Sequence, residues 1–405
     1  MLYNPTSSSV PTRNRIPAQG NGRRLLHHKR RVLEAIEAVI DAGVNTGSYV
    51  QGPCVAALEK LVASSWHLSA AIAVNSGSSA LRLAFEVLHL EPGREVLVPA
   101  LTFIATAYAV SDAGLVPVFV DVDPHTFTMD PAAAHAAITA KTAAIVPVHL
   151  HGQMAAMVPL LELAETHGLS IVEDAAQAHG ATYACSDQAP CDRWYAGSMG
   201  DLGCFSLNGV KNVGGLGDAG MVTVSPRLLT RHPGVVDRLR SLRDLGRRSP
   251  QRYVHDEWGL RARMDEFTAT TCLLEFAELE TWNHRRREIA ARYDRALAHS
   301  ILQAPFVAAG RQHVYFNYPV LSPTPEIRAQ FERSLLSRGI EVAEAYTLVS
   351  DQHPYRTGKL PCRVEVLDVA RQVVGRVTHI PLYPELEEEE IERIVAVLRE
   401  FAADE

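Results

Sequence analysis

Leu169-Ser170-Ile171-Val172-Glu173-Asp174-Ala175-Ala176-Gln177-Ala178-His179-Gly180 is followed, a short way on, by Phe205-Ser206-Leu207-Asn208-Gly209-Val210-Lys211-Asn212-Val213-Gly214-Gly215-Leu216-Gly217-Asp218-Ala219-Gly220. The first half is an apolar run of strand length that ends in charge and then in small residues, as when a strand delivers an acid to a sheet edge. The second half surrounds one lysine with glycines, whose free backbone lets Lys211 approach a ligand closely. Taken singly, each residue has a plainer reading: Asp174 ends a strand, and Lys211 sits in a solvated turn.

Outward from this stretch, short apolar runs at 71–74, 95–98, 116–120, 143–148, 170–172, 202–206 and 221–224 alternate with helical patterns at 79–88, 105–113, 131–138 and 158–166. Such alternation predicts an α/β fold with a mainly parallel seven-stranded sheet wrapped on both faces. Ligands bind such sheets at the carboxyl ends of the strands. Asp174 follows the 170–172 run and so stands at that end.

An acid and a lysine brought together there suit pyridoxal 5'-phosphate chemistry, in which a lysine amine carries the cofactor and a carboxylate keeps its pyridine nitrogen protonated. A phosphate-bearing cofactor also needs backbone amides and hydroxyls at a helix start. Val74-Asn75-Ser76-Gly77-Ser78-Ser79 supplies them between a strand and a helix, although any strand-to-helix turn favours such residues as caps. Phe103, just after the next strand, is placed to cover a ring or to join the core.

Glu173-Asp174-Ala175-Ala176-Gln177-Ala178-His179-Gly180-Ala181, with Phe205-Ser206 and Lys211-Asn212, resembles the DegT/StrS group of sugar aminotransferases, enzymes of fold type I. The similarity runs from about Thr46 to the C-terminal helix. It implies a fold type I aminotransferase, with the sheet in a large domain and a smaller α+β C-terminal domain. Lys211 is then the Schiff-base lysine, Asp174 the partner of the pyridine nitrogen, Gln177 a contact to the ring hydroxyl, and Ser206 a phosphate ligand beside Gly77 and Ser78. Phe103 would stack on the ring. Within Gly259-Leu260-Arg261-Ala262-Arg263-Met264-Asp265-Glu266, Arg261 stands where the family usually offers an asparagine to the phosphate of the neighbouring subunit. This departure either puts a guanidinium on the phosphate or displaces the segment.

The activity implied is transfer of an amino group from glutamate or glutamine to a keto-sugar, either nucleotide-linked or a keto-cyclitol, in amino sugar or aminocyclitol biosynthesis. The implied assembly is a homodimer with shared active sites. Two rivals stand beside this reading. Family members that dehydrate sugars carry histidine in place of the lysine, which Lys211 opposes. A catalytically silent cofactor-binding partner subunit is the other, suggested by Arg261 and by an unusual segment at Ala345-Tyr346-Thr347.

Composition sets further bounds. With 405 residues, 47% hydrophobic and 21% charged, the chain predicts a large soluble domain plus a smaller one. The expected partition is a mobile N-terminal arm at 1–31, a cofactor-binding domain at 32–259 and a small domain at 260–405. A formal charge of −7 argues against general nucleic-acid binding, and the basic run at 23–31 reads as a solvated helix face. No apolar run reaches the ~18 residues of a membrane span, and no signal pattern opens the chain, so the expected location is cytoplasmic. The six cysteines are scattered, with no CxxC pair, and read as unpaired thiols. His149 and His151 flank Leu150 and are poorly placed as a metal pair; no metal is expected. His179 is expected to satisfy a backbone group. Beyond 260, helices are expected at 267–279, 282–298, 326–337 and 387–401, with a strand at 314–321.

Overall fold

The computed structural model describes residues 15–185, 193–251 and 253–402. The arm up to residue 14 and Cys191 lie outside the described residues. All seven expected runs form strands: β1 (Ala70–Val74), β2 (Glu95–Pro99), β3 (Val116–Val120), β4 (Thr142–Ile145), β5 (Ser170–Asp174), β6 (Leu202–Ser206) and β7 (Gly220–Val224). An eighth, β8 (Arg363–Val364), joins from the C-terminal region, giving the order β1-β7-β6-β5-β4-β2-β3-β8. The strands from β6 to β8 in that order pair in parallel, whereas β7 runs antiparallel to both β6 and β1.

Alternating side chains divide the interior into two cores, one on each face of the sheet. On β1, Ile72 and Val74 enter one core while Ala71 and Ala73 enter the other. Helices α3 (Gly77–Leu88) and α4 (Ile104–Asp112) cover the first face. The opposite face is covered by α2 (Pro53–Ser65), by Pro131–Ala137 and by Met157–His167. Phe119 is fully buried in the first core; truncating such a ring to alanine costs about 3–5 kcal/mol.

Helix α5 (Glu266–Leu297) ties this body to a third core. Asp265 caps it by accepting the Thr268 amide at 2.8 Å. Its first half buries Ala269, Cys272 and Leu279 against the sheet, and its second half buries Ile289, Tyr293 and Leu297 against Tyr318–Leu321, Pro325–Ser337 and Glu388–Arg399. The two helices expected at 267–279 and 282–298 are thus one. No glycine or proline interrupts residues 266–297, so the swing in polarity there marks passage between cores and not a break. The expected strand at 314–321 is confined to Tyr318–Leu321.

The N-terminal region differs from expectation. Helix α1 (Asn21–Thr46) begins inside the stretch read as an arm, and Ile16 is buried in a bridge to Ile340. Nor is the basic run wholly solvated: Arg24 is 4% exposed, and Arg23 pairs with Glu390 at 2.6 Å. Among the described residues no helix is long and apolar enough to cross a membrane.

Candidate active site

The carboxyl ends of β1, β2, β5 and β6 open onto a cavity of about 510 Å³. Gly77, Ser78, Phe103, Asp174, Gln177, Ser206 and Lys211 all line it. Residues far apart in the chain therefore converge because parallel strands end on one side of the sheet.

Asp174 closes β5. Its Oδ2 accepts the Thr106 hydroxyl at 2.7 Å, its Oδ1 accepts the Ala176 amide at 3.2 Å, and Thr102 lies 3.0 Å from Thr106. Burial pushes the carboxyl above its ordinary range; the Thr106 and Ala176 hydrogen bonds, and then the charge of Lys211, pull it back. Lys211 sits in the turn after β6, its Nζ 4.4 Å from the centre of the Phe316 ring. Desolvation draws its amine down to about 8, against an opposing pull from Asp174. The chain has five lysines, and the other four, Lys29, Lys60, Lys141 and Lys359, are exposed.

Gln177 is held on both sides. Its Oε1 accepts the His151 amide at 2.7 Å, and its Nε2 donates to the Tyr346 hydroxyl at 2.8 Å. At the start of α3, Ser76 caps the helix through the Ser79 amide at 3.1 Å, leaving the first amides of the helix facing the cavity. A Cβ on Gly77 would stand 2.8 Å from the Ser206 Cβ, so only glycine lets the two strand ends approach this closely. Phe103 is 55% exposed at the mouth, 6.3 Å from the Tyr346 ring.

This arrangement fits pyridoxal phosphate. The buried carboxylate has a hydroxyl and an amide for partners but, among the described residues, no contacting cation, which a protonated ring nitrogen would supply. Helix amides and Ser78 and Ser206 form a small-residue cradle for a phosphate. A partly buried lysine with a lowered pKa supplies the amine.

Arg261 is not brought to this cavity. It is exposed and bridges Asp244 through its backbone, while the adjacent Ala262 carbonyl accepts the Asn75 amide at 3.0 Å beside the end of β1. His149 and His151 diverge. His149 accepts the Ala155 amide on Nδ1 at 3.1 Å and meets Glu173 through Nε2 at 2.8 Å, whereas the His151 ring lies against His379, 4.8 Å away. His179 is buried against Phe205, and the backbone group its ring meets is that of Ser206. Among the described residues no group of three His, Cys, Asp or Glu is arranged to hold a metal.

Sequence reading gave no site role to Thr106 or to Tyr346, although the segment 345–347 stood out as unusual. Both act through contacts between distant segments, and neither threonine in a helix nor a lone tyrosine in a loop carries a local signal of such a contact.

Comparison with known proteins gives the same reading. Residues 30–399 match the DegT/DnrJ/EryC1/StrS aminotransferase family. The chain is 38% identical to a UDP-N-acetyl-3-dehydro-alpha-D-glucosamine 3-aminotransferase of Acidithiobacillus ferrooxidans, over 91% of this chain and 93% of that protein. It is 37% identical to a dTDP-3-amino-3,4,6-trideoxy-alpha-D-glucose transaminase of Streptomyces venezuelae, over 91% and 93%. In three dimensions it superposes on S. venezuelae DesV with a TM-score of 0.86 at 34% identity, covering 96% of this chain and 99% of that one. With the sequence match spanning most of its length and the fold preserved, this chain belongs to the DegT/DnrJ/EryC1/StrS aminotransferase family.

Proposed function

We propose that this chain moves an amino group from glutamate or glutamine onto the keto group of a nucleotide-linked sugar, with pyridoxal phosphate held in the cavity between Lys211 and Asp174. The observation that carries the reading is the convergence of a desolvated lysine and a buried carboxylate on one cavity. The nucleotide-linked acceptor is favoured over a keto-cyclitol by the two relatives, whose names are those of UDP- and dTDP-sugar enzymes.

When bound, the cofactor supplies an aldehyde carbon and an electron-accepting ring. Lys211 Nζ would carry that aldehyde carbon between turnovers, with loss of water on loading, and would move the proton off the donor's α-carbon and onto the acceptor carbon. Asp174 would hold the ring nitrogen as an anion. Gln177, fixed by the His151 amide and Tyr346, would offer its second Nε2 hydrogen to the ring hydroxyl. Gly77, Ser78 and Ser206 would bind the phosphate, and Phe103 would cover the ring face. Lys211 stands where a sugar dehydratase of this family carries histidine, which opposes that alternative.

Arg261 serves the partner's site in a homodimer. Its exposure, its absence from its own cavity, and the exposed Trp258 nearby support this assignment.

The test follows cofactor absorbance in single turnover, first with glutamate or glutamine, then with keto-sugar nucleotides set against keto-cyclitols. Conversion by one donor and return by a nucleotide-linked sugar is expected. A protein that binds cofactor and reacts with neither donor would be a silent partner subunit, and turnover of cyclitols alone would overturn the acceptor assignment.

A further inference from the structure

Lys211 is gripped from behind by a buried charged pair that the roles above leave unused. Arg24, in the first turn of α1, donates through Nη1 to the carbonyl of Lys211 itself at 2.9 Å and through Nη2 to the Gly209 carbonyl at 2.5 Å. Its Nε faces Glu275 Oε1 on α5 at 3.1 Å, an ion-pair contact without aligned hydrogen-bond geometry. Glu275 turns its other oxygen, Oε2, to the Gly214 amide at 2.7 Å. The Trp282 ring lies over the guanidinium, 5.4 Å away. Two side chains thus hold three backbone positions of the 209–214 loop, on both sides of the lysine.

Helix α5 makes this possible by its period. Glu275, Leu279 and Asn283 recur at four-residue intervals and share one face; Asn283 Oδ1 takes the Asn212 side-chain amide at 3.0 Å. Three backbone positions around Lys211, and the Asn212 side chain, therefore answer to α1 or α5.

A loop carrying Gly209, Gly214 and Gly215 has many conformations open to it, while attack by an amine needs Nζ held close to one geometry. Hydrogen bonds from a guanidinium to carbonyls are among the stronger restraints available. Burying an ion pair is unfavourable unless its groups are fully used, and here they are used on the loop backbone. Burial lifts Glu275 to about 7 even with Arg24 pulling it down. Arg24 lies before residue 30, where the family match begins.

We propose that Arg24 and Glu275 are positioning residues for Lys211: they lock the 209–214 loop so that Nζ is presented to the cavity in one pose, and seating of the first turn of α1 completes the reactive lysine. The proposal rests on the Lys211 assignment above. The alternative is that the pair merely fastens α1 to α5.

The experiment compares the full-length apo-protein with Arg24→Met/Glu275→Gln and with Arg24→Lys. The double variant leaves no orphaned buried charge, keeps an acceptor for the Gly214 amide, and keeps a stem against Trp282. Amide hydrogen exchange in the 209–214 loop is measured without cofactor, and formation of the covalent lysine–cofactor adduct is then followed by absorbance after adding pyridoxal phosphate.

Loop exchange about tenfold faster and adduct formation about tenfold slower are expected in the double variant, with Arg24→Lys intermediate because one ammonium cannot span both carbonyls. Exchange and adduct rates within about twofold of wild type, in a variant whose α1 is loosened, would overturn the proposal. Should the double variant fail to fold, Arg24→Lys decides alone, and a wild-type adduct rate in it would overturn the proposal equally. If wild type forms no adduct at Lys211, the Lys211 assignment fails instead, and loop exchange still reports on the clamp.

Discussion

A carboxylate buried at a strand end, with a threonine hydroxyl and one amide for company, meets no contacting cation among the described residues, and that unmet charge is what Asp174 brings to the site. Asp174→Asn keeps the shape and removes the charge. Adduct formation should survive, while the rate of reaction with glutamate should fall by about a hundredfold or more; a wild-type rate in single turnover would remove Asp174 from the ring. The same change bears on Lys211. The reacting form of the lysine is the neutral amine, which is scarce below its pKa, so adduct formation in wild type should rise with pH and level off above about 8. Asp174 pulls that pKa upward, so Asp174→Asn should move the inflection to lower pH, read from the pH dependence of the absorbance change. An inflection near the ordinary lysine value in wild type would mean the amine is solvated. Both residues were legible in the sequence, because a strand that ends in an acid and a lysine among glycines each leave a local pattern. Thr106 and Tyr346 were not, since what matters in them is which distant carboxylate or amide they meet.

At the scale of elements, the large sheet was mostly readable: seven apolar runs became seven of its eight strands, though nothing in the runs marked β7 as antiparallel to its neighbours. Helices after residue 260 were less so. A change from apolar to arginine-rich composition looked like a boundary, yet α5 runs straight through it from one core to the next. Charge along α1 was equally ambiguous, because composition cannot say which guanidinium a neighbouring helix will bury. Helix α2 and strand β8 gave no signal strong enough to read. Asn283, on α5, tests how the helix holds the lysine loop: it takes the Asn212 amide and donates to the His179 carbonyl at 2.9 Å, fully buried. Asn283→Ala leaves His179 without that donor and Asn212 with only the Val314 carbonyl, and should cost about 1–3 kcal/mol. Thermal melting of the apo-protein checks this; an unchanged midpoint would mean the network is dispensable.

For the whole molecule, the surface beyond the mouth of the site is the informative part. Trp258 is 83% exposed, and Arg261 lies close by in sequence on the segment that passes the end of β1. A homodimer built through this segment would bury the indole and bring Arg261 to the partner's phosphate cradle. Trp258→Arg should then shift the protein toward monomer in sedimentation. Arg261→Ala and Lys211→Ala, each weak alone, should regain activity when mixed, because one site in each heterodimer holds both wild-type groups. Demonstrated subunit exchange without returning activity would assign Arg261 to its own subunit or to none. No sequence pattern could locate that residue in space, since the place proposed for it lies in a second chain.

The most direct measurement of the central claim is borohydride reduction of the cofactor-loaded protein followed by peptide mapping. Four of the five lysines are exposed and one lines the cavity. The cofactor mass should appear on the peptide containing Lys211 and on no other, and should be absent in Lys211→Ala. A reduced adduct on Lys29, Lys60, Lys141 or Lys359, or one that persists in Lys211→Ala, would contradict the account.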